Sequence, residues 1–380
     1  MTAAPTFFSM PELLNKKLIV IAPTAPPEVC GVSDYAYKVA QELGKQYADV
    51  AIGADRLPEA PVPGHGLPLA HWQELLQQAA AAPLGTDVFL NYTPTSFARS
   101  GLPIGLLKAL RHFTKSRPDN RLFVFFHETW NDSRDLRLYQ QVQQRIVRSA
   151  MDRIGQLATG VAVVNSEQQQ KLAQLLRRTN VRVHPIGSNI VPTHPEAGFL
   201  SERQPGEWLV FGLSHTRLWS LEANLPLLKA MHAQGVLRHI RSIGPSDTKF
   251  ARTEKELIDN TLGPNILVQM GALAADEISQ QLLSAQAALV GLNANGLKKS
   301  GTFAAMAAHA VPVICEADKD LDYPPGAALF QPSEVLADPG ILASTAGENR
   351  RRQLHKWFWA TRSWEAIGQS LHTWLQETPR

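Results

Sequence analysis

Short apolar runs alternate with amphipathic stretches along most of this chain, and that alternation leaves few folds open. Residues 17–22 (Lys-Leu-Ile-Val-Ile-Ala) read as a buried first strand. A loop over residues 23–34 follows, with three prolines, Gly31, Ser33 and Asp34. A helix then runs from near Tyr35 to about Gln46, with Ala36, Val39, Ala40 and Leu43 on one face. Further strands are expected at 87–91, 121–126, 160–165 and 181–186, with Ser166 capping a helix over 167–178. Helical stretches separate the strands, so the sheet should be mostly parallel with helices on both faces.

Around residues 191–207 the composition shifts to Pro192, Pro195, Pro205 and few apolar residues, which reads as an interdomain linker. The pattern then restarts. Strands are expected at 208–213, 238–243, 266–270, 287–292 and 312–315, and helices at 221–234 and 276–285. A chain of 380 residues exceeds one ordinary core, so two α/β domains in tandem are expected. The boundaries are 1–191 for the first domain, 192–207 for the linker and 208–362 for the second. A tail helix at 363–380, starting at Ser363, completes the first domain. The stretch 350–375 is amphipathic and carries Trp357, Trp359, Trp364 and Trp374, large aromatics suited to packing on the body.

Bulk properties exclude several function classes. Hydrophobic content of 44% with 19% charged residues marks a globular chain. A net charge of +3 gives no reason to expect nucleic acid. Cys30 and Cys315 are far apart and match no metal-ligand spacing, which fits a reducing, cytoplasmic setting and no bound metal. Residues 1–10 lack the basic start of a signal peptide, and no run approaches the ~18–20 apolar residues of a membrane span.

The stretch Gly296-Leu297-Lys298-Lys299-Ser300-Gly301-Thr302 is expected to be a loop leading into a helix over 303–308 and a buried strand. Ser300 and Thr302 are good N-cap residues, and Gly301 lets the backbone approach a ligand. A helix N-terminus with free N–H groups, and two lysines just upstream, is an anion site suited to a phosphate or diphosphate. A capped surface helix with two solvated lysines gives the same pattern.

Several local motifs, in order along the chain, resemble the retaining, family-four glycosyltransferases of the GT-B class. They are Gly31-Val32-Ser33-Asp34-Tyr35 with the residues just before it, Phe125-Phe126-His127-Glu128 and Val163-Val164-Asn165-Ser166-Glu167. Pro185-Ile186-Gly187-Ser188-Asn189-Ile190, Phe211-Gly212-Leu213-Ser214, Ala305-Met306-Ala307 with Val311-Pro312-Val313-Ile314, and Arg362-Ser363-Trp364 continue the series. The resemblance implies an α/β GT-B fold, two Rossmann-like doubly wound domains facing a central cleft. It implies transfer of a sugar, with retention and without metal, from a UDP- or GDP-linked donor to a glycan, lipid-linked or small-molecule acceptor. No separate cofactor is implied.

The chain also departs from that family. The two glutamates eight residues apart that usually hold the donor are replaced by Gly296 and Ala304, and the usual diphosphate-binding Arg and Lys have no clear counterpart. Arg217, in Ser214-His215-Thr216-Arg217-Leu218-Trp219, is the best substitute, with Lys298 or Lys299 second. The resemblance therefore implies a divergent branch in which His127, Arg217 and Lys299 are the catalytic candidates. Gly31, Ser214, Lys298, Ser300, Gly301 and Thr302 would bind the donor and its diphosphate. Asp34, Glu128 and Asn189 would face the acceptor, with Ser188 beside Asn189 and Glu316 as a further donor contact.

Blander readings stand beside these. His127 fits a satisfied buried histidine, Glu128 a cap of the following helix, and Asp34 an N-cap. Arg217 fits a solvated charge, and Ser188 and Asn189 fit a turn. Arg134, Arg137, Arg145, Arg148 and Arg153, with Arg111, Lys115 and Arg117 nearby, could rest on anionic lipid at the inner membrane surface; a solvated helix face fits better, because no long apolar insertion residues are evidently paired with them. A sugar-nucleotide epimerase would need clustered carboxylates, which are absent, and a phosphorylase would need a far longer chain. The competing class is a non-catalytic nucleotide- or sugar-binding relative, to which the missing glutamates point. Oligomeric state is not legible.

Overall fold

The computed structural model describes residues 16–25, 28, 30–58, 66–133, 135–317 and 325–379, without the side chains of Ala294 and Asn295. Pro26, Pro27 and Val29 of the first loop and Arg134 of the basic stretch lie outside the described residues. The chain divides into two compact units, residues 1–185 with 364–380, and residues 186–363.

The first unit is built on strands β1 (Lys17–Thr24), β2 (Asp49–Arg56), β3 (Leu69–His71), β4 (Thr86–Tyr92), β5 (Arg121–Phe126), β6 (Gly160–Val163) and β7 (Val181–Val183). Its helices are α1 (Gly31–Leu43), α2 (Trp72–Ala81), α3 (Ile104–Ser116), α4 (Leu138–Leu157) and α5 (Ser166–Leu176). The sheet order is β3-β2-β1-β4-β5-β6-β7, and every paired neighbour is parallel. Alternate residues of each strand face opposite layers. Ile19, Val88, Leu90, Val124 and Val163 pack beneath α2–α5 with Leu110, Phe113, Met151 and Leu172.

The rings of Phe89 and Phe123 meet Trp374 of the tail helix at 6.3 and 5.2 Å. A Cβ on Gly160 would collide with Trp374, so glycine there lets the tail seat closely. The sequence reading missed β2 and β3. β2 carries Gly53 and two aspartates, yet Gly53 is needed because a Cβ there would press on the Trp72 backbone. β3 has only three residues, too few for periodicity to register.

The second unit contains α6 (Ala197–Leu200), β8 (Gln204–Phe211), α7 (Ser214–Ala223), α8 (Leu225–Ala233), β9 (His239–Ile243), α9 (Thr248–Leu262), β10 (Leu267–Gly271), α10 (Ala275–Ser284) and β11 (Ala285–Val290). Then come α11 (Ala294–Lys298), α12 (Gly301–Ala308), β12 (Val313–Cys315), α13 (Pro332–Ala337) and α14 (Thr345–Thr361). The tail helix of the first unit, α15 (Trp364–Glu377), closes the chain. The second sheet runs β10-β9-β8-β11-β12, again with parallel neighbours. One face packs on α10, α12 and α14 and the other on α7, α8 and α9, through two clusters of buried apolar residues.

Local expectations shift in physical detail. α1 begins at Gly31, so Asp34 sits in its first turn and is not its N-cap, which is Cys30. Asn165, not Ser166, caps α5, by accepting from Gln168 N. The expected helix over 221–234 is two helices, with Pro226 in the first turn of the second. The stretch 192–207 holds α6 and the start of β8. Its Arg203 is half-buried, and its guanidinium donates to the carbonyls of Leu282, Ala285, Gly198, His309 and Ala310. Those are carbonyls at helix ends, which have no intrahelical partner. Residues 294–298 form the short helix α11 where a loop was expected, because Asn293 caps it by accepting from Gly296 N at 2.9 Å.

Candidate functional site

In the second sheet the strand order reverses between β8 and β11, and in open α/β sheets ligands bind beyond the carboxyl ends of the strands at such a point. β8 runs into Gly212, whose φ of 133° suits glycine alone, and α7 starts two residues later. The N-cap of α7 is Leu213, which supplies no side-chain acceptor, so no side chain caps the first-turn N–H groups of this helix. On the other side α12 begins at Gly301. Ser300 caps it as expected, its Oγ accepting from Phe303 N at 3.1 Å and lying 2.9 Å from Thr302 Oγ1.

These pieces converge. A Cβ on Gly212 would touch Thr302 Cγ2 at 3.1 Å, and one on Gly301 would lie 3.5 Å from the Gly187 carbonyl oxygen. The structure thus gathers Gly187, the Gly212–Ser214 turn and Ser300–Gly301–Thr302 around two helix N-termini. Ser188, next to Gly187, is buried and held by Ile190, while Asn189 is exposed. Lys298 ends α11 half-buried and Lys299 follows it exposed. Glu316 is exposed just after β12. Helix dipoles and lysines therefore give this end of the sheet a positive field.

Arg217 is not the solvated charge that one reading allowed. It is 2% exposed, and its guanidinium is paired with the fully buried Glu254 at 3.1 Å and bonded to Ser242 and the Gly212 and Pro245 carbonyls. Its charge is cancelled inside the unit, so it cannot reach a diphosphate as a free cation. Neither Glu254 nor Ser242 was singled out from sequence; nothing in a helical Glu and a strand Ser announces an arginine from a third element.

The first unit has its own reversal between β1 and β4. Ser33 of α1 ties back to Thr24 at the end of β1, through Thr24 N at 3.2 Å and Thr24 Oγ1 at 2.8 Å. A Cβ on Gly31 would meet no described atom within 4 Å, so no packing contact among the described residues requires glycine there. Burial raises the Asp34 pKa, with Lys38 opposing. His127 follows β5 and is buried, with its ring edge-on to Tyr35 at 5.0 Å and Phe125 at 4.4 Å. Its Nε2 is 3.0 Å from Asn91 Oδ1, while Asn91 Nδ2 donates to the Ile21 carbonyl at 3.2 Å. The Asn91 orientation is thereby fixed, and Nε2 carries the proton. Burial pulls the imidazole pKa down to about 3, so His127 is neutral and cannot serve as an acid near pH 7.

Glu128 is exposed, and α4 begins only at Leu138, so Glu128 caps no helix. Asn91 and Gln168, which donates to the His127 carbonyl at 3.2 Å, are partners of His127 that the sequence reading did not single out. Among the described residues, no group of three or more His, Cys, Asp or Glu side chains is placed to hold a metal ion. No described helix is long and apolar enough to cross a membrane.

No family model matches the sequence, and no curated protein matches it. Solved structures do match over nearly the whole chain. HepE from Anabaena in complex with UDP is 13% identical, with 95% of this chain and 99% of that chain covered and a TM-score of 0.64. A glycosyltransferase from Rickettsia africae is 11% identical over 96% and 98%, with a TM-score of 0.63. Sucrose-phosphate synthase from Thermosynechococcus elongatus is 14% identical over 96% and 99%, with a TM-score of 0.59. At such identities the likeness establishes the fold: two Rossmann-like α/β domains of the GT-B type.

Proposed function

We propose that this chain is a glycosyltransferase that takes its sugar from a UDP- or GDP-linked donor. The observation that carries this reading is the convergence of two helix N-termini, Ser214 on α7 and Ser300–Thr302 on α12, at the strand-order reversal of the second sheet. A structure of similar fold, HepE, is described in complex with UDP and glucose, at 12% identity and a TM-score of 0.60. In this reading the backbone N–H groups of both helices and the hydroxyls of Ser300 and Thr302 hold the diphosphate. Lys298 and Lys299 offset the charge that develops on the leaving diphosphate, which supports transfer without a divalent metal. Arg217 supports the site from below. Transfer with retention is part of the proposal and rests on the family resemblance.

In the first unit, neutral His127 offers hydrogen bonding to a sugar or acceptor hydroxyl and no proton at neutral pH. Gly31 leaves room for a ligand against α1, and Asp34 and Glu128 are proposed acceptor contacts of this unit; Asn189 is proposed separately as a ligand contact of the second unit. With Gly296 and Ala304 in place of glutamates, the ribose and donor sugar lack their usual carboxylate partners. A protein that binds the nucleotide without transferring sugar is the alternative.

Isothermal calorimetry and thermal shift with UDP, GDP, ADP and CMP test this reading. A nucleotide present at about 100 times its dissociation constant should add roughly 2.7 kcal/mol of apparent stability. The Ser300→Ala, Thr302→Ala double variant should lose about 1 kcal/mol of cap energy and at least about tenfold in nucleotide affinity. Absence of binding by any nucleoside diphosphate would defeat the proposal. Binding without transfer or hydrolysis of any sugar conjugate would select the non-catalytic alternative.

For the acceptor we propose a glycan or lipid-linked carbohydrate met at an anionic membrane face. Ile104, Leu138, Tyr139 and Val142 are exposed at the N-terminal turns of α3 and α4. Lys108, Arg111, Lys115, Arg145, Arg148 and Arg153 extend along the same two helices, and α3 contains no acidic residue. An apolar edge beside a cationic stripe suits the interface of an anionic bilayer. The protein is expected to sediment with vesicles containing phosphatidylglycerol and not with phosphatidylcholine alone. Lys108→Glu, Arg111→Glu, Lys115→Glu should abolish the association; equal binding to both vesicles would sink the idea.

A further inference from the structure

We infer that the buried Arg217–Glu254 pair is a positioning device that aims two peptide N–H groups at the diphosphate, and that its charge balance sets how tightly that ligand is held. The inference rests on the donor-site reading above. Arg217 Nε donates to Ser242 Oγ at 2.9 Å and to Glu254 Oε1 at 3.1 Å, and Nη1 donates to the carbonyls of Gly212 at 2.5 Å and Pro245 at 3.2 Å. Glu254 Oε2 accepts from Ser242 Oγ at 2.8 Å and from Gln269 Nε2 at 3.3 Å. One guanidinium therefore ties together the chain leaving β8, the chain leaving β9, and α9, with β10 joined through Gln269.

The consequence lies in the peptide planes. A trans peptide points its carbonyl and its N–H in opposite directions. Drawing the Gly212 carbonyl inward onto Arg217 turns the Leu213 N–H outward, and drawing in the Pro245 carbonyl does the same for Ser246. The Gly212 plane is the one that leads into the uncapped N-terminus of α7 beside Thr302. Two glycines make this approach possible: Gly212 at φ 133° and Gly244 at φ 137°, where any Cβ would fall on the Gly212 carbonyl. Arginine suits this role because its planar guanidinium donates from Nη1 to both carbonyls while Nε faces Ser242 and the Glu254 carboxylate. Glu254 then cancels the charge, so the bare turn carries helix N–H groups above a neutral pair.

Three proteins separate this role from a merely structural one. In Glu254→Gln the guanidinium keeps its carbonyl bonds and loses its counter-charge. Its melting temperature should fall while affinity for UDP or GDP, and for inorganic pyrophosphate, rises about fivefold, the order expected for one unit charge added near a surface site. A structural role moves both downward. In Arg217→Met, Glu254→Leu the pair is replaced by apolar groups of similar volume, a change that buried ion pairs often tolerate without loss of stability. That variant should stay folded yet bind at least about tenfold more weakly, and the amides of the turn after β8 should exchange faster with solvent. Wild-type affinity in the folded double variant, or weaker binding in Glu254→Gln, would overturn the inference. If the wild type binds no nucleotide, the donor-site reading fails. Hydrogen exchange then decides the positioning claim alone, and unchanged protection of the turn in the double variant refutes it.

Discussion

Asp87→Ala is expected to cost about 3–5 kcal/mol and to unfold the first unit at moderate denaturant, because it strands a buried charge. Asp87 is fully buried on β4. Its two oxygens accept from Arg121 Nε at 2.9 Å and Nη2 at 2.5 Å, and from the Tyr47 hydroxyl at 2.8 Å. Arg121 uses its remaining nitrogen to hold the Leu375 carbonyl of α15 at 2.8 Å, and its guanidinium lies 5.1 Å from the Phe123 ring centre. Burial, with Asp87 second, raises the Tyr47 pKa well above its ordinary value, so the tyrosine is a neutral donor.

Removing the carboxylate takes away the acceptor of Arg121 Nε and Nη2 and of the Tyr47 hydroxyl, and the ion-pair partner of Lys16 at 3.6 Å, while the bond to the tail remains. A total stability of about 5–15 kcal/mol leaves little margin for that loss. Urea unfolding followed by Trp374 fluorescence should report a midpoint shifted strongly downward. A change below about 1 kcal/mol would mean that water reaches Arg121 and that the pair is a surface feature. Replacing Asp87 and Arg121 together by apolar residues should recover much of the loss in the sheet but not the anchorage of α15.

Acid should destabilise the protein well before its carboxylates titrate. Burial lowers His127 to about 3, and lowers His184, with help from Arg182, to about 4. His309 is also lowered to about 4 by burial, against the opposing Ala305 carbonyl. Each starts from 6.5 in the unfolded chain. The unfolded state therefore binds more protons below pH 6.5. The stability is complete above that pH and is lost as pH falls toward the folded values.

A shifted group costs about 1.4 kcal/mol per pH unit across its window, so three of them remove roughly 6 kcal/mol between pH 7 and 5. His127 and His184 lie in the first unit and His309 in the second, so the first unit should yield first. Urea titrations at pH 7 and pH 5 measure the drop. His184→Asn should flatten it by about one third. A flat profile between those pH values would mean that the three imidazoles are protonated in place and hydrated.

The sequence reading reached the α/β class, the repeated strand–helix order and ten of the twelve described strands, because most carry their own signal. Residues 121–126 are six buried apolar or paired positions in a row, and helix α12 announces itself with Ser300 and five small or apolar residues behind it. Local sequence decided these because strand burial and helix capping are written in neighbouring residues. It did not reach β2, β3, the capping of α11 by Asn293, or the resting place of Arg217, each of which depends on what folds against it.

Arg217 is the clearest case. Its position in a Ser-His-Thr-Arg run near a glycine turn suits a solvent-facing phosphate ligand, and only the packing of α9 brings Glu254 beneath it. His127 is the second: its residue type allows an acid, and the closure of Tyr35, Phe125 and Asn91 around it makes it a neutral donor. What the sequence by itself determined was therefore where strands and helices form and which loops carry glycine, serine and lysine at their ends. Tertiary structure alone decided the charge state and partner of each polar group. A charge's energy depends on the dielectric and on neighbours from distant parts of the chain, and those exist only once the sheets have closed.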